Sequence, residues 1–372
     1  MVAESEKVYT SSVAMIFSSC LLATFFGIGS YMMYNEAFQD AFIASIIGAV
    51  ISCLFFYFFY YIFEHNTYNT IFELSCNSFG KVFGTILNLV IVASLVIITC
   101  AILFNLSSFL NLEYLPDSPT NMLEAILLLT LSYVCSKSLS QILKVNQIFV
   151  FICMFNIILN VIGLFPKFEI RNIEPMFDVG KISIIKSVGI YVVLSFVSYF
   201  MLLIANKKMI QDKNVLKKRM IISLISTNAV LVGIIFLAIV LLGKEYIALF
   251  RFPEYIGLKQ FGLFNMIERI ENILSLQLYF NAFSLLMFLI YFIKSYLPSG
   301  KYTRYYPFII TFFVYFITNF LFKDTMSFIM LVEKYYSYVI LVGLMFPVVL
   351  IYIKLQFFTK LPKYICKSLA FL

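Results

Sequence analysis

The sequence predicts an all-α integral membrane protein of about ten transmembrane helices, a bundle as deep as a bilayer with little mass outside it. Three observations carry this. Of the 372 residues, 62% are hydrophobic and only 12% charged, against roughly 25% charged in soluble domains. Apolar runs of about 20 residues, each long enough to cross the hydrocarbon as a helix, recur from end to end. The runs are continuous rather than alternating, which favours helices over the strands of a membrane barrel.

Taken in order, the apolar runs place spans at residues 10–34, 41–63, 82–110, 122–136, 145–165, 187–205, 220–242, 273–296, 306–322 and 335–352, followed by a basic tail at 353–372. All belong to a single membrane domain. The segment before the first span carries Glu4, Glu6 and Lys7 and lacks the basic start and small-residue cleavage site of a signal peptide, so the first span is expected to be retained. Short loops between most spans imply antiparallel neighbours. In the longer connection before span eight, Phe261, Phe264, Ile267, Ile270 and Leu274 share one helical stripe, while Glu268, Arg269 and Glu271 lie off it. That pattern predicts an interfacial helix.

Ten spans put both termini on one side. With the termini in the cytoplasm, most of the 27 Lys and Arg residues fall inside, among them Lys81, Lys137, Lys144, the cluster between Lys207 and Arg219, Lys301, Arg304 and the tail. Topology therefore accounts for the net charge of +8 without invoking nucleic acid. The seven cysteines form no metal-ligand spacing and read as small apolar residues. His65, the lone histidine, falls in a loop and reads as solvated.

Acids or bases at mid-span would mark a proton relay or an ion path, and the apolar runs hold none at their centres. No nucleophile with a base, no paired carboxylates and no phosphate loop can be assembled, so neither a catalytic residue nor a cofactor is expected and an enzyme is disfavoured. Neutral polar groups and glycines remain. In span one, Gly27, Ile28, Gly29 and Ser30 would allow the helix to unwind and offer backbone N–H groups to an anionic ligand. Close packing is the alternative, because Ser19, Ala23 and Gly27 are four apart and form a small-residue stripe. Span three adds Ser94, Thr99 and Asn105, span six adds Ser195, Ser198 and Tyr199, and span eight adds Gln277, Asn281 and Ser284. Ser and Thr usually bond back to their own helix, whereas a mid-span Asn or Gln needs a partner.

Several landmarks, taken in order, resemble the spore germination permease family, the B subunits of nutrient germinant receptors in the amino acid/polyamine/organocation transporter superfamily. They are Gly27 and Gly29; Asp40; Gly80-Lys81 with Gly84; Pro116 and Pro119; Asn172, Pro175 and Gly180; Phe252-Pro253; and Arg269-Ile270-Glu271. The chain departs from the family pattern at Ser30-Tyr31-Met32-Met33, where a proline is usual, and at Ser138, Ser140 and Lys144, where Gly-x-Glu and Arg are usual. It also lacks a tryptophan near span eight. It reads as a divergent member.

The resemblance implies a five-plus-five inverted repeat with helices one and six broken at mid-membrane around a small-molecule site. It implies assembly with a larger A-type subunit and a lipoprotein C-type subunit in the spore inner membrane. On that expectation Gly27, Ile28, Gly29, Ser30, Ser94, Thr99, Ser195, Ser198, Tyr199, Asn281 and Ser284 line the site of a nutrient, an amino acid above all. A secondary amino acid transporter and a non-sensing scaffold subunit share the fold and stand as the alternatives.

Overall fold

The computed structural model describes residues 8–66, 68–205, 209–259 and 275–356. It is helical throughout, apart from a single parallel bridge between Val8 and Ile210 that ties the chain start to the segment before span seven. Seven stretches are long and apolar enough to cross a membrane, and the helices Thr120–Cys135 and Tyr306–Leu321 are shorter and also apolar. The first stretch, Thr10–His65, contains two passes. They part at Phe38, whose φ of 44° ends the helix Ser30–Ala37 before Ala41–His65 begins. Thr10 bonds Arg219 at the start of the first pass, and Lys217 lies over Tyr57 and Tyr60 near the end of the second, so the two passes run in opposite directions.

Ten passes result, as the apolar runs predict, with helices that often extend past them. Span three is Lys81–Glu113, span four Thr120–Cys135, span five Leu139–Leu164, span six Lys181–Ile204, span seven Lys213–Ile247, span eight Leu276–Tyr296, span nine Tyr306–Leu321 and span ten Thr325–Gln356. Span five starts earlier than its apolar run because Ser138 caps it: Ser138 Oγ accepts from the Gln141 N–H, and the Gln141 side chain accepts from the Ser138 N–H. The predicted helix around Phe264, with Glu268, Arg269 and Glu271, and the tail beyond Gln356 lie outside the described residues.

The packing follows a five-plus-five scheme. Span one packs on span seven as span six packs on span two, and span five packs on span one as span ten packs on span six. Span five also lies against span eight as span ten lies against span three. Each contact is repeated when five is added to both span numbers, counting on from ten to one, and an odd number of spans per half inverts the second half relative to the first.

Span one is broken. Phe26 (φ −60°, ψ 115°) and Gly27 (φ 63°, ψ 0°) leave helical geometry between Thr10–Thr24 and Ser30–Ala37. A break at the centre of span six, also expected, is absent. Lys181–Met201 is one continuous helix, tightening to a 3₁₀ turn only at Leu202–Ile204. Its serines explain this in part, since Ser195 Oγ donates to its own helix at the Val192 carbonyl and no Pro interrupts the run.

Loop landmarks hold one another on the face away from the chain start, here called the distal face. Asp40 accepts from the Phe177 N–H at 2.8 Å and the Val179 N–H at 3.4 Å. Gln39 donates to the Pro175 carbonyl at 2.8 Å, and Asn172 to the Val240 carbonyl at 2.8 Å. Cys20, Cys100, Cys135 and Cys153 are buried and unpaired, as expected of small apolar residues. His65 ends span two, stacked on Tyr61 with its Nδ1 2.9 Å from the Tyr61 carbonyl, rather than lying free in a loop.

Candidate functional site

The break in span one is a crowded polar centre. Leaving the helix at Phe26 frees carbonyls that in hydrocarbon must find other donors. The Phe26 carbonyl accepts from Asn105 Nδ2 of span three at 2.8 Å, and the Phe25 carbonyl from Ser30 Oγ at 2.9 Å. Asn105, a mid-span amide in need of a partner, thus finds it in the broken helix. Glycine at 27 is required twice over. Its φ is positive, and a Cβ there would lie 2.3 Å from Phe252 Cε1 and 2.9 Å from Asn105 Oδ1.

Phe252 arrives from the connection between spans seven and eight. Its ring lies 5.3 Å from Phe26 and 5.1 Å from Phe109, and Phe26 meets Phe109 edge-on at 5.0 Å. With Tyr255 and Leu278 these rings form a core of their own, separate from the main one. Pro253 then starts the short helix Pro253–Leu258. The connection therefore dips inward from the distal face and seats an aromatic plug on the break.

The same segment carries two charged groups inward. The Arg251 guanidinium donates to Asn105 Oδ1 at 3.1 Å and lies over the Phe328 and Phe252 rings at 4.6 and 5.0 Å. Its Nε and Nη1 are sealed and unpartnered. Burial lowers its pKa to about 10, which leaves it cationic at neutral pH. Glu254 stands by Ser30, and its Oε2 is sealed and unpartnered. Burial pushes its pKa up to about 7. The helices alone suggested an uncharged site; a re-entrant loop supplies the charge.

A second acid corrects the same expectation within a span. Glu124 of span four is 1% exposed and accepts from Ser107 Oγ at 3.3 Å and from Asn319 Nδ2 at 3.1 Å, joining spans three, four and nine. It lies in the first two turns of its helix, near the edge of the apolar run at 122–136 and away from its centre.

The predicted site residues divide. Gly27, Ile28, Gly29 and Ser30 are buried at the break, and a Cβ on Gly29 would meet Leu194 of span six at 2.8 Å. Asn281 joins them, lining a narrow cavity with Phe25, Phe26, Glu254 and Gln277. Ser198, Tyr199 and Ser284 are buried with hydroxyls that have no partner. Tyr199 belongs to a ring cluster with Phe17, Phe55 and Phe59 between spans one and two. Ser94 and Thr99 donate to their own helix, at the carbonyls of Val90 and Leu95, and Ser94 is pressed against Gly343 of span ten. Sequence reasoning missed Arg251 and Glu254, although they flank the Phe252-Pro253 landmark on either side. Among the described residues no cluster of His, Cys, Asp and Glu could hold a metal ion.

A family model described as spore germination protein matches residues 8–329, nearly the whole chain. No curated protein matches it.

Proposed function

Because the chain belongs to the spore germination permease family, we propose that this multi-pass membrane protein is a germinant receptor subunit. It binds a small nutrient, an amino acid, at the unwound middle of span one and signals with A-type and lipoprotein C-type partner subunits. One observation carries the reading: the helix breaks at Phe26-Gly27, where an inward-dipping loop seats Phe252 on the break and brings a buried arginine and a buried acid beside it. A helix restarting inside the bilayer leaves first-turn N–H groups for an anionic ligand group. Asn105, Ser30 and Asn281 supply neutral polar contacts around it.

We place the termini in the cytoplasm and the plugged distal face outside. Lys81, Lys137, Lys144, Lys217, Lys218, Arg219, Lys301 and Arg304 all lie at the end that carries the chain start. Binding would act by population shift between two arrangements of the bundle, which requires the nutrient to prefer one of them.

The test is a thermal-shift screen of amino acids on the purified chain and on Gly29→Ala. A new Cβ there meets Leu194 Cδ1 at 2.8 Å and the Phe25 ring at 2.9 Å, so both side chains must shift at the break and the variant should lose its response. An unchanged response in G29A removes the span-one site. Concentrative uptake of labelled amino acid by the chain alone in proteoliposomes would favour the transporter reading, which the repeat architecture also accommodates.

A further inference from the structure

We propose that a groove at the distal end of spans one, six and ten binds the headgroup of phosphatidylethanolamine, with the acyl chains lying down the wall between spans six and ten. The groove holds about 560 Å³, within the range of small-molecule sites. Its mouth is charged. Asn35 and Glu36 come from the last turn of span one, Lys186 from the second turn of span six, and Glu333 from span ten. Glu36 Oε2 accepts from Lys186 Nζ at 3.4 Å, and Glu333 Oε1 accepts from Asn35 Nδ2 at 3.0 Å. Deeper in, the lining turns aliphatic, with Ile190 and Val193 of span six and Leu341 of span ten. Val193 and Leu341 lie about 10–12 Å along their helices from Lys186 and Glu333, at 1.5 Å per residue. Charge at one end and hydrocarbon at the other describe the site of an amphiphile.

The charges select the headgroup. Two acids share the mouth with one base, and Lys334, next to Glu333 in sequence, lies over the Tyr335 ring at 5.2 Å instead of lining the groove. Among the described residues Glu333 therefore has the neutral Asn35 as its partner and no cation. An anionic lipid would add a like charge to this excess of acid. A zwitterionic one fits. The Lys186–Glu36 pair is long and half-exposed, hence weak, and its Nζ can turn to a lipid phosphate. The ammonium of ethanolamine, with three N–H donors, then meets Glu333 and the released Glu36 through charge-assisted bonds. A choline headgroup carries the same charge without an N–H to donate.

The groove is open at its centre and along its side. Gly189 of span six lines it, and a Cβ there would meet no atom within 4 Å, so packing does not close the space at that level. On the same two helices Ile182, Ile185, Tyr338 and Val342 are 62–74% exposed, an apolar wall for acyl chains. A soluble zwitterion would satisfy the mouth and leave the aliphatic end bare, which assigns the groove to a lipid. This inference goes beyond the germinant reading and does not depend on it.

The chain contains no tryptophan, so Tyr338→Trp, at an exposed position on the groove, provides a single fluorescent reporter, and Phe316→Trp on the exposed side of span nine provides a control. Each full-length variant is reconstituted in phosphatidylcholine bilayers with a rising share of lipid brominated in its acyl chains and carrying an ethanolamine, choline or glycerol headgroup. Quenching gives relative association constants. In Tyr338→Trp the ethanolamine lipid should bind about 10-fold more tightly than the choline lipid, as a hydrogen bond to a charged group supplies, and the glycerol lipid no more tightly than choline. In Phe316→Trp the ethanolamine and choline lipids should be equal. Added to Tyr338→Trp, Glu333→Gln should remove most of the ethanolamine preference, and Gly189→Leu, which fills the open space, should remove all of it. If one of these two fails to fold, the other decides. Equal constants for ethanolamine and choline lipid in Tyr338→Trp, a glycerol lipid bound as tightly as the ethanolamine lipid, the same preference in Phe316→Trp, or a preference untouched by the added substitutions overturns the inference. Soluble glycerophosphoethanolamine should not displace the lipid, and displacement by it overturns the assignment to a lipid.

Discussion

Replacing Gly27 by alanine tests the central contact of the fold. Two costs can be read from the geometry. An L-residue at φ 63° costs about 1–2 kcal/mol relative to glycine. The new methyl would lie 2.3 and 2.7 Å from two atoms of the Phe252 ring, far inside van der Waals contact, so the ring must move by about 1 Å or more. Moving it gives up its pairs with Phe26 and Phe109, each worth about 0.5–1.5 kcal/mol. The sum is about 3 kcal/mol. The assay is reversible SDS unfolding of the unmodified chain, Gly27→Ala, Phe252→Ala and the double variant. Half or more of the Gly27→Ala cost should vanish when Phe252 is already alanine, a coupling in the range found for residues in contact. If Gly27→Ala unfolds like the unmodified chain, or if its cost is the same with and without the Phe252 ring, the plug does not rest on the break.

Other consequences are simpler to measure. Asn105→Leu removes the donor to the Phe26 carbonyl and the acceptor for Arg251, leaving buried groups unpaired, and should cost about 2–4 kcal/mol in the same unfolding assay. Glu254 should make stability depend on pH, with Tyr34 of span one the titratable group that interacts with it and only neutral side chains lining its cavities from spans five, seven and eight. Its folded pKa of about 7 exceeds the ordinary carboxyl value of 4.5, so the folded state keeps a proton that the unfolded chain releases. Its contribution is complete below pH 4.5 and is lost as the pH rises through 7, about 3 kcal/mol in all, and E254Q should flatten that slope. Ser19→Ala deletes the buried bond to Asn146 of span five at 2.8 Å and should cost about 0.6 kcal/mol. Single cysteines at Lys301 and Asn172 should label from opposite sides of sealed vesicles; labelling from the same side would refute the topology.

The architecture was legible because the bilayer imposes it. Apolar length set the passes, while the five-plus-five inverted repeat came from the family resemblance. The break in span one was only half legible: Gly27 and Gly29 allow unwinding and close packing alike, and the family resemblance is what favours the break. Of the small-residue stripe offered as the alternative, Ser19 bonds Asn146 of span five, while Gly27 faces Phe252 and Asn105 at the break. Span six could not be read from its serines, because a hydroxyl that bonds its own helix, as Ser195 does, relieves no need for a break. The charges at the site were illegible for a geometric reason. Counting charge along apolar runs treats every connection as wet, and residues 251–254 re-enter. The sequence does hold a trace of this, in Phe-Pro set between an arginine and a glutamate. A proline that starts a helix, preceded by an aromatic, describes a turn with something to bury.

That placement couples access to electrostatics. Reaching the break from the distal face requires lifting Phe252 off Gly27, and the same movement draws Arg251 from Asn105 and Glu254 from its cavity, because all three lie within four residues. The contacts given up are one charged hydrogen bond, about 1.5–3 kcal/mol, and ring pairs with Phe26 and Phe109 of about 0.5–1.5 kcal/mol each. Part of that loss is recovered when Glu254 meets water and ionises. The net barrier to opening is then of the same order as the 2.7 kcal/mol or so that a ligand at 100 times its dissociation constant contributes. A ligand that bonds to the segment itself would hold it down by about that amount, whereas one touching only the spans would leave the segment's equilibrium where it was. On the receptor reading proposed above, the ligand is therefore read through the loop that dips into the bundle, and the spans supply the frame.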